Sequence, residues 1–276
     1  MKKGPIFFSR HQGIGDAVFV NTVAWHCGHF NKCKVIIGTN HKEIFRNNPY
    51  VRIFPFTSEK MFFRFVRLLR ILGFSPQHFV MTYQAELKET PHIMDALCKK
   101  AGMHIHLSKP LIFLTEKELS KKQLPVGEKP WLAIHSTGLT DWTDNKNYYP
   151  ERFEEVVLAL KSKYNIVQLG LESDPALSAD LDLRGKLTVR ETAALFYECK
   201  LFIGQVGFLM HAAEAASCRS IIIYGGFEAP WQHDYPHQQS IYSPVSCAPC
   251  WQLICPYDKK CMDMIMPSTI VEMALG

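Results

Sequence analysis

Residues 202–224 read FIGQVGFLMHAAEAASCRSIIIY, and this stretch decides the fold. The apolar run at 201–204 predicts a buried strand, the alanine-rich segment 209–216 predicts a helix, and the β-branched run at 219–224 predicts a second strand. Strands that alternate with helices in this way indicate a parallel sheet covered by helices on both faces.

The same alternation runs through the rest of the chain. We expect further strands at 5–9, 34–38, 52–54, 78–81, 131–135 and 165–169, and further helices at 16–29, 42–47, 60–72, 91–101, 150–163, 189–199 and 267–275. The segment 115–129 is rich in Lys, Glu, Pro and Gly, which predicts a linker. The sequence therefore predicts an α/β protein of two doubly wound, Rossmann-like domains, residues 1–126 and 127–276. Ligands bind at the carboxyl ends of such strands, and we expect those ends to face one cleft.

Composition bounds the function only loosely. The chain has 276 residues, of which 47% are hydrophobic, and 31 basic residues against 26 acidic ones give a net charge of +5. This charge suits a phosphate-bearing ligand and is too mild to predict nucleic-acid binding. The N-terminal apolar run at 6–8 is too short for a signal peptide, and no apolar stretch approaches the roughly 18 residues of a membrane span. We expect a cytoplasmic protein.

The first segment with chemical character is SRHQGIGD at residues 9–16, between the first strand and the first helix. Gly13 and Gly15 allow a tight turn and a close approach of the backbone to a ligand. Asp16 follows at the start of the helix, where it is either a functional carboxylate or simply the helix N-cap.

The second segment, HSTG at residues 135–138, follows the first strand of the second half. The hydroxyls of Ser136 and Thr137 can cradle phosphate oxygens, with the ammonium of Lys146 close by in sequence. An ordinary polar loop is the alternative.

The third segment, residues 204–211, leads from a strand through two glycines into a helix. The free N–H groups at a helix N-terminus favour a diphosphate. The candidate binding residues here are Gly207, Leu209, Met210 and His211. For His211 the alternative is a buried histidine whose ring nitrogens form hydrogen bonds within the protein.

Four of the nine cysteines crowd into fifteen residues, as Cys247, Cys250, Cys255 and Cys261. Four thiolates at this density suit a tetrahedral Zn or Fe ion, and because they would fill every coordination position, the ion would be a structural clip. The alternatives are four reduced thiols or two disulfides, and the spacing does not decide between Zn and Fe. The remaining five, Cys27, Cys33, Cys98, Cys199 and Cys218, are expected in the core.

The segment KMFFRFVRLLR at residues 60–70 carries four cations at spacings of four, three and three. They share one stripe of a helix whose other residues are aromatic or aliphatic. Such a helix can lie on an anionic membrane, so we expect peripheral membrane contact through residues 60–72. A core-packed helix with a basic solvent face is the alternative.

Taken in order, these segments resemble the family-nine glycosyltransferases, the ADP-heptose:lipopolysaccharide heptosyltransferase group. The resemblance covers most of the chain and is strongest from Trp131 onward. The cysteine segment is similar to a metal finger of autotransporter heptosyltransferases. The resemblance implies a GT-B fold and an inverting transfer of a sugar, a heptose, from ADP-heptose to a lipopolysaccharide, glycan or protein hydroxyl. It also implies that Asp16 is the general base and that no catalytic metal takes part.

On the donor side the resemblance implies that Thr137, Lys146 and the helix start at 207–211 meet the charge of the diphosphate. Glu172 matches the acidic residue that holds the nucleotide ribose. The chain departs from the family pattern G-x-D-S-G-x-x-H at Val206, where the aspartate would stand. Its lysine motif also has one extra residue before Pro150.

Two other functions fit the same residues. One is a GT-B enzyme of capsule or cell-wall synthesis with a UDP-sugar donor. The other is a scaffold or partner-binding protein of the same fold that has lost catalysis, which the missing aspartate at Val206 suggests.

Overall fold

The computed structural model of the chain describes residues 5–56, 58–84, 87, 92–136, 143–233 and 235–276. The chain divides into two compact units, residues 1–115 and residues 116–276. The division falls before the segment 116–120, which we expected in the linker and which forms helix α4 (Glu116–Ser120). Helix α4 belongs to the second unit because Glu118 pairs with Arg190 there, Oε2 to Nη2 at 2.9 Å. Among the described residues, none of the helices has both the length and the apolar character that crossing a bilayer requires.

The first unit is built on a four-stranded parallel sheet in the order β3–β2–β1–β4. Every residue of the central strand β1 is buried, as expected where helices cover both faces of a sheet. The elements are β1 (Ile6–Ser9), α1 (Ile14–Asn31), β2 (Val35–Gly38), a 3₁₀ turn (Lys42–Phe45), β3 (Val51–Ile53), α2 (Glu59–Ile71), β4 (Gln77–Val80) and α3 (Ile93–Lys100).

The second unit carries a six-stranded sheet in the order β10–β9–β8–β5–β6–β7, and all of its pairings are parallel. Its helices cross between the strands. After α4, the elements are β5 (Trp131–His135), α5 (Pro150–Leu160), β6 (Asn165–Leu169), β7 (Leu181–Asp182), α6 (Val189–Leu195), β8 (Cys199–Gln205), α7 (Phe208–Ala215), β9 (Ser220–Gly225), a 3₁₀ turn (Pro230–Gln232), β10 (Gln238–Tyr242), α8 (Lys260–Asp263) and α9 (Pro267–Leu275).

The predicted α/β class with two parallel sheets is confirmed. The structure differs from the prediction in two edge strands of the second sheet and in where helix α6 ends. Strands β7 and β10 were not predicted, because an edge strand is half-exposed and its sequence is correspondingly polar: β10 reads QQSIY. Helix α6 ends at Leu195 instead of residue 199, because Cys199 already belongs to β8.

The C-terminal helix α9 closes the core of the second unit. Ile270 is fully buried in a cluster formed by side chains of β5, β8, β9 and α5. Two buried tyrosines tie this end of the chain down, since Tyr148 Oη donates to the carbonyl of Ile265 at 2.7 Å and Tyr164 Oη donates to that of Ala274 at 3.0 Å. The last segment of the chain is therefore an integral part of this unit.

Replacing Ile270 by alanine should lower the free energy of unfolding of the second unit by about 2–5 kcal/mol, because the truncation leaves a cavity in a packed core. The matched control is Ser268→Ala on the exposed face of the same helix, which should change it by less than about 0.5 kcal/mol. Guanidinium denaturation compares the two variants, and equal stabilities would show that α9 does not close the core.

Candidate functional site

Asp16 lies in the first turn of α1, and both of its carboxylate oxygens have a partner. Arg10, from the loop after β1, forms an ion pair with Oδ2. Tyr83, which follows β4, donates its hydroxyl to Oδ1 at 3.0 Å. The guanidinium is itself fixed, because its Nε donates to the carbonyl of Gln12 at 3.0 Å. The carboxylate is thus held in one orientation by a cation and a hydroxyl.

Gly13, three residues before Asp16, leaves room for this arrangement of the carboxylate. Gly13 is the N-cap of α1 and has φ +74°, a backbone conformation that favours glycine. A Cβ at this position would come within 2.2 Å of Asp16 Oδ2. The alternative that Asp16 is the N-cap is wrong, because its side chain turns toward Arg10 and Tyr83. Gly15 lies in the same first turn of the helix.

This part of the first unit has the features of a site for proton transfer. The Asp16 side chain keeps 18% of its surface exposed, so a hydroxyl group can reach it. A carboxylate oxygen has two lone pairs, and a single hydrogen bond leaves it able to accept another proton. Sequence reasoning found Asp16 but missed Tyr83, which lies 67 residues away and stands in no motif.

Lys146 forms the corresponding charged pair in the second unit. Its ammonium lies 2.9 Å from the carboxylate of Glu228, which is almost fully buried. The ammonium also lies 5.6 Å from the centre of the Phe227 ring. The main-chain carbonyl of Lys146 accepts a hydrogen bond from Gln205, the last residue of β8. The structure therefore brings the predicted lysine together with the predicted segment 204–211.

Glu228 is the acidic residue that sequence reasoning missed. It follows the end of β9 within the run GGFE at residues 225–228. The available signal was its position, because polar residues just past a buried parallel strand lie at the edge of the sheet where ligands bind. The second unit thus holds a buried carboxylate beside its candidate lysine, although Val206 replaces the aspartate of the family pattern.

Helix α7 begins at Gly207, its N-cap, and the space beside the Cα atom of that glycine is open. The first N–H groups of a helix have no partner within the helix, so they are available to an anion. Leu209 is half-buried, whereas the side chains of Met210 and His211 are buried. The His211 ring bonds to the hydroxyl of Tyr235 at 2.8 Å, so its side chain is satisfied internally, as the alternative interpretation had it.

Ser136, at the end of β5, is fully buried. Its hydroxyl donates to the carbonyl of Pro175 at 2.7 Å and accepts from Gln168 Nε2 at 2.9 Å. This hydroxyl thus joins two segments of the unit internally. Thr137, the other hydroxyl that we singled out, lies outside the described residues.

The turn after β6 carries two acids in different surroundings. Glu172, the predicted ribose ligand, is exposed. Asp174 is buried, accepts a hydrogen bond from the amide of Leu171 at 2.8 Å, and lies 3.3 Å from Nε2 of His135 at the end of β5. The carboxylate that the fold fixes at this edge is therefore Asp174, whereas the side chain of Glu172 lies at the surface.

Comparison with known proteins identifies the family of the chain. The model of glycosyltransferase family 9 (heptosyltransferase) matches residues 78–261. The chain belongs to glycosyltransferase family 9. It is accordingly a glycosyltransferase, as predicted.

Solved structures show the same fold at low sequence identity. A family 9 glycosyl transferase from Veillonella parvula DSM 2008 aligns with a TM-score of 0.75 at 13% identity, over 100% of this chain and 97% of that one. ADP-heptose lps heptosyltransferase II of E. coli aligns with a TM-score of 0.72 at 14% identity, over 98% of this chain and 97% of that one. The iron-containing dodecameric glycosyltransferase TibC from enterotoxigenic E. coli H10407 aligns with a TM-score of 0.73 at 13% identity, over 99% of this chain and 77% of that one. No functionally curated protein matches the sequence significantly.

The four clustered cysteines of this family 9 glycosyltransferase lie on the loop between β10 and α8 and at the start of α8. The backbone amide of Cys250 donates to the carbonyl of Gly226 at 3.0 Å, and the amide of Lys259 donates to Cys255 Sγ at 3.4 Å. Burial raises the pKa of the Cys261 thiol. Across the described residues, no group of three or more metal-binding side chains is arranged around a common point, so a metal stays a prediction.

The other cysteines differ from this cluster. Cys27, Cys98 and Cys218 are buried, as predicted for core residues, whereas Cys33 and Cys199 are half-buried. Burial raises the pKa of Cys27 to about 11 and that of Cys98 to about 12, so both thiols stay protonated at neutral pH.

If the cluster holds a structural ion, the purified protein should contain about one Zn or Fe per chain, because four thiolates complete a tetrahedral shell. Elemental analysis measures the content. The Cys250→Ser and Cys255→Ser variants should lose the metal and part of their thermal stability, while the control Cys33→Ser should keep both. A metal-free native protein with the same melting temperature after chelation would rule out the clip.

Proposed function

We propose that this family 9 glycosyltransferase transfers a heptose from ADP-heptose to a hydroxyl of a lipopolysaccharide, another glycan or a protein, with inversion at the anomeric carbon. The observation that carries the proposal is the fixed carboxylate of Asp16, held by Arg10 and Tyr83 at the start of α1. The family supports sugar transfer, and a structure of TibC in complex with ADP-D-beta-D-heptose, with a TM-score of 0.73, supports the donor.

In this proposal Asp16 is the general base. One of its oxygens accepts the proton of the acceptor hydroxyl while the hydroxyl oxygen forms a bond to the anomeric carbon of the donor. The bond from that carbon to the diphosphate oxygen breaks, and ADP leaves with the electron pair. Arg10 and Tyr83 keep the carboxylate oriented.

The second unit binds the donor in this proposal. Charge that develops on the leaving diphosphate is stabilised by fixed N–H groups and cations. The N–H groups at the start of α7, from Gly207 onward, supply the first kind of group, and Lys146 supplies the second. Lys146 keeps 22% of its side-chain surface exposed, so it can face a ligand while Glu228 holds it from the protein side. In this proposal the exposed Glu172 binds the ribose, and the resemblance to the family assigns Thr137 to the phosphates.

One observation favours a second donor class. Val206 stands where the family pattern has an aspartate, so the contacts of this loop to the donor differ from those of the family. A UDP-sugar is the second candidate on this ground.

Replacing Asp16 by asparagine should lower sugar transfer by about 10²–10⁴-fold, because the amide cannot take the proton of the acceptor. The variant should stay folded, since asparagine has nearly the same shape: its carbonyl oxygen can accept from Arg10, and its amide nitrogen can donate to the hydroxyl of Tyr83. The assay follows labelled heptose from ADP-heptose into envelope glycolipid, glycan and protein acceptors, with melting curves run in parallel.

The matched control is Asp263→Asn, an exposed acid of the second unit, which should transfer at the wild-type rate. Wild-type turnover in the folded Asp16→Asn variant would exclude Asp16 as the base. A wild-type protein that transfers no sugar from any nucleotide donor would favour the scaffold function.

A further inference from the structure

Helix α2 buries one narrow stripe of side chains in the first unit. Phe62 is fully buried and Val66 is 2% exposed, and both pack in a cluster with Phe7 and Phe54. Leu69 packs against the same cluster and completes the spacing i, i+4, i+7 that defines one face of a helix. The ring of Phe65, on the neighbouring face, reaches the edge of the same cluster, with its centre 5.3 Å from that of Phe54.

A second apolar stripe runs beside the first and faces solvent. This stripe has the spacing i, i+4, i+7, i+11. The exposed fractions of its members are 40% at Met61, 37% at Phe65, 49% at Leu68 and 63% at Leu72. Ile71, which is 71% exposed, lies next to it. A core-packed helix with a basic solvent face, the alternative interpretation, explains the buried stripe and Phe65. It leaves the exposed Leu68, Ile71 and Leu72 unexplained, because a helix needs only one apolar face to join a core.

A third stripe is cationic. Lys60, Arg64 and Arg67 follow one another at i, i+4 and i+7, and Arg70 lies one turn further. Within the part of the chain that the structure describes, none of these four cations has an acidic partner within ion-pair distance. The only acid of the helix is Glu59 in its first turn, where it complements the helix dipole. The exposed surface thus combines unpaired positive charge with apolar side chains.

Both ends of α2 are fixed, so these stripes hold their positions. Ser58 caps the N-terminus by accepting from the amide of Met61. At the other end Gly73 adopts φ +83°, and the amides of Gly73 and Phe74 bond back to Arg70 and Leu69 in a Schellman arrangement. This turn places Phe74, which is 56% exposed, just past the end of the helix.

We propose that α2 docks the protein in the plane of a membrane surface that contains anionic phospholipid. The apolar stripe enters the boundary between head groups and acyl chains, and the cations contact lipid phosphates. Charge complementarity selects this occupant, because every charge of the helix beyond its first turn is positive, and the exposed side chains beside these cations are large and apolar. The proposal goes beyond sugar transfer and holds whatever the donor.

The test is sedimentation of the full-length protein with vesicles. Wild-type protein should bind vesicles of phosphatidylglycerol and phosphatidylethanolamine and bind pure phosphatidylcholine at least about tenfold less, with binding that weakens as salt rises. The Arg64→Gln/Arg67→Gln variant should lose about 10- to 30-fold in partitioning, since each basic residue near the surface contributes about fivefold.

The Leu68→Gln/Ile71→Gln/Leu72→Gln variant tests the apolar stripe and should lose at least about tenfold, while glutamine preserves helix propensity. Matched controls are Leu158→Gln/Leu275→Gln for exposed leucines and Lys163→Gln/Lys200→Gln for charge, all in the second unit, and both should bind like wild type. Wild-type binding by either α2 variant, or equal binding to neutral and anionic vesicles, would overturn the proposal. Loss of self-association in the triple variant with unchanged vesicle binding would assign the stripe to a second copy of the chain instead.

Discussion

Both sheets of the protein are parallel throughout, and this constraint determines where chemistry can take place. In a parallel sheet every strand ends at the same edge, so the loops that follow neighbouring strands meet there. In the first unit this edge carries Arg10 after β1 and Tyr83 after β4, and both reach Asp16. In the second unit the ends of β8 and β9 bring Gln205 and Glu228 to Lys146. Each charged pair depends on strands that are buried on both faces.

The regular part of the fold could be predicted from the sequence, since burial on both faces leaves a clear apolar pattern. Strands β5 and β6 and helix α9 begin and end at the predicted residues. The edge strands β7 and β10 could not be predicted in this way because their half-exposed sequences resemble loops. The contacts within the site could not be predicted either. Tyr83 and Glu228 reach their partners across long stretches of chain, and no periodicity records such contacts, although the position of Glu228 after β9 marks it as a candidate.

In each unit a glycine leaves space at the candidate residues, and an ion pair holds a charged side chain in place. Gly13 leaves room for the carboxylate of Asp16, and Gly207 leaves open space before α7. Ion pairs then hold one reactive group in each unit, Asp16 by Arg10 and Lys146 by Glu228. Two of the predicted binding side chains of the second unit, Ser136 and His211, bond within the protein. The proposal of a diphosphate donor therefore depends on the main-chain N–H groups at the start of α7 and on Lys146.

The identity of the nucleotide tests the proposed function most directly, because ADP, UDP and GDP share the diphosphate and differ in the base. Calorimetric titration of the full-length protein with each nucleotide makes the comparison, and melting curves provide a second readout, since a ligand at about 100 times its Kd stabilises by about 2.7 kcal/mol. The account predicts that ADP binds more tightly than UDP and GDP by at least about tenfold, and that Lys146→Met weakens the binding of ADP. Preferential binding of UDP, or the absence of binding by all three, would contradict it.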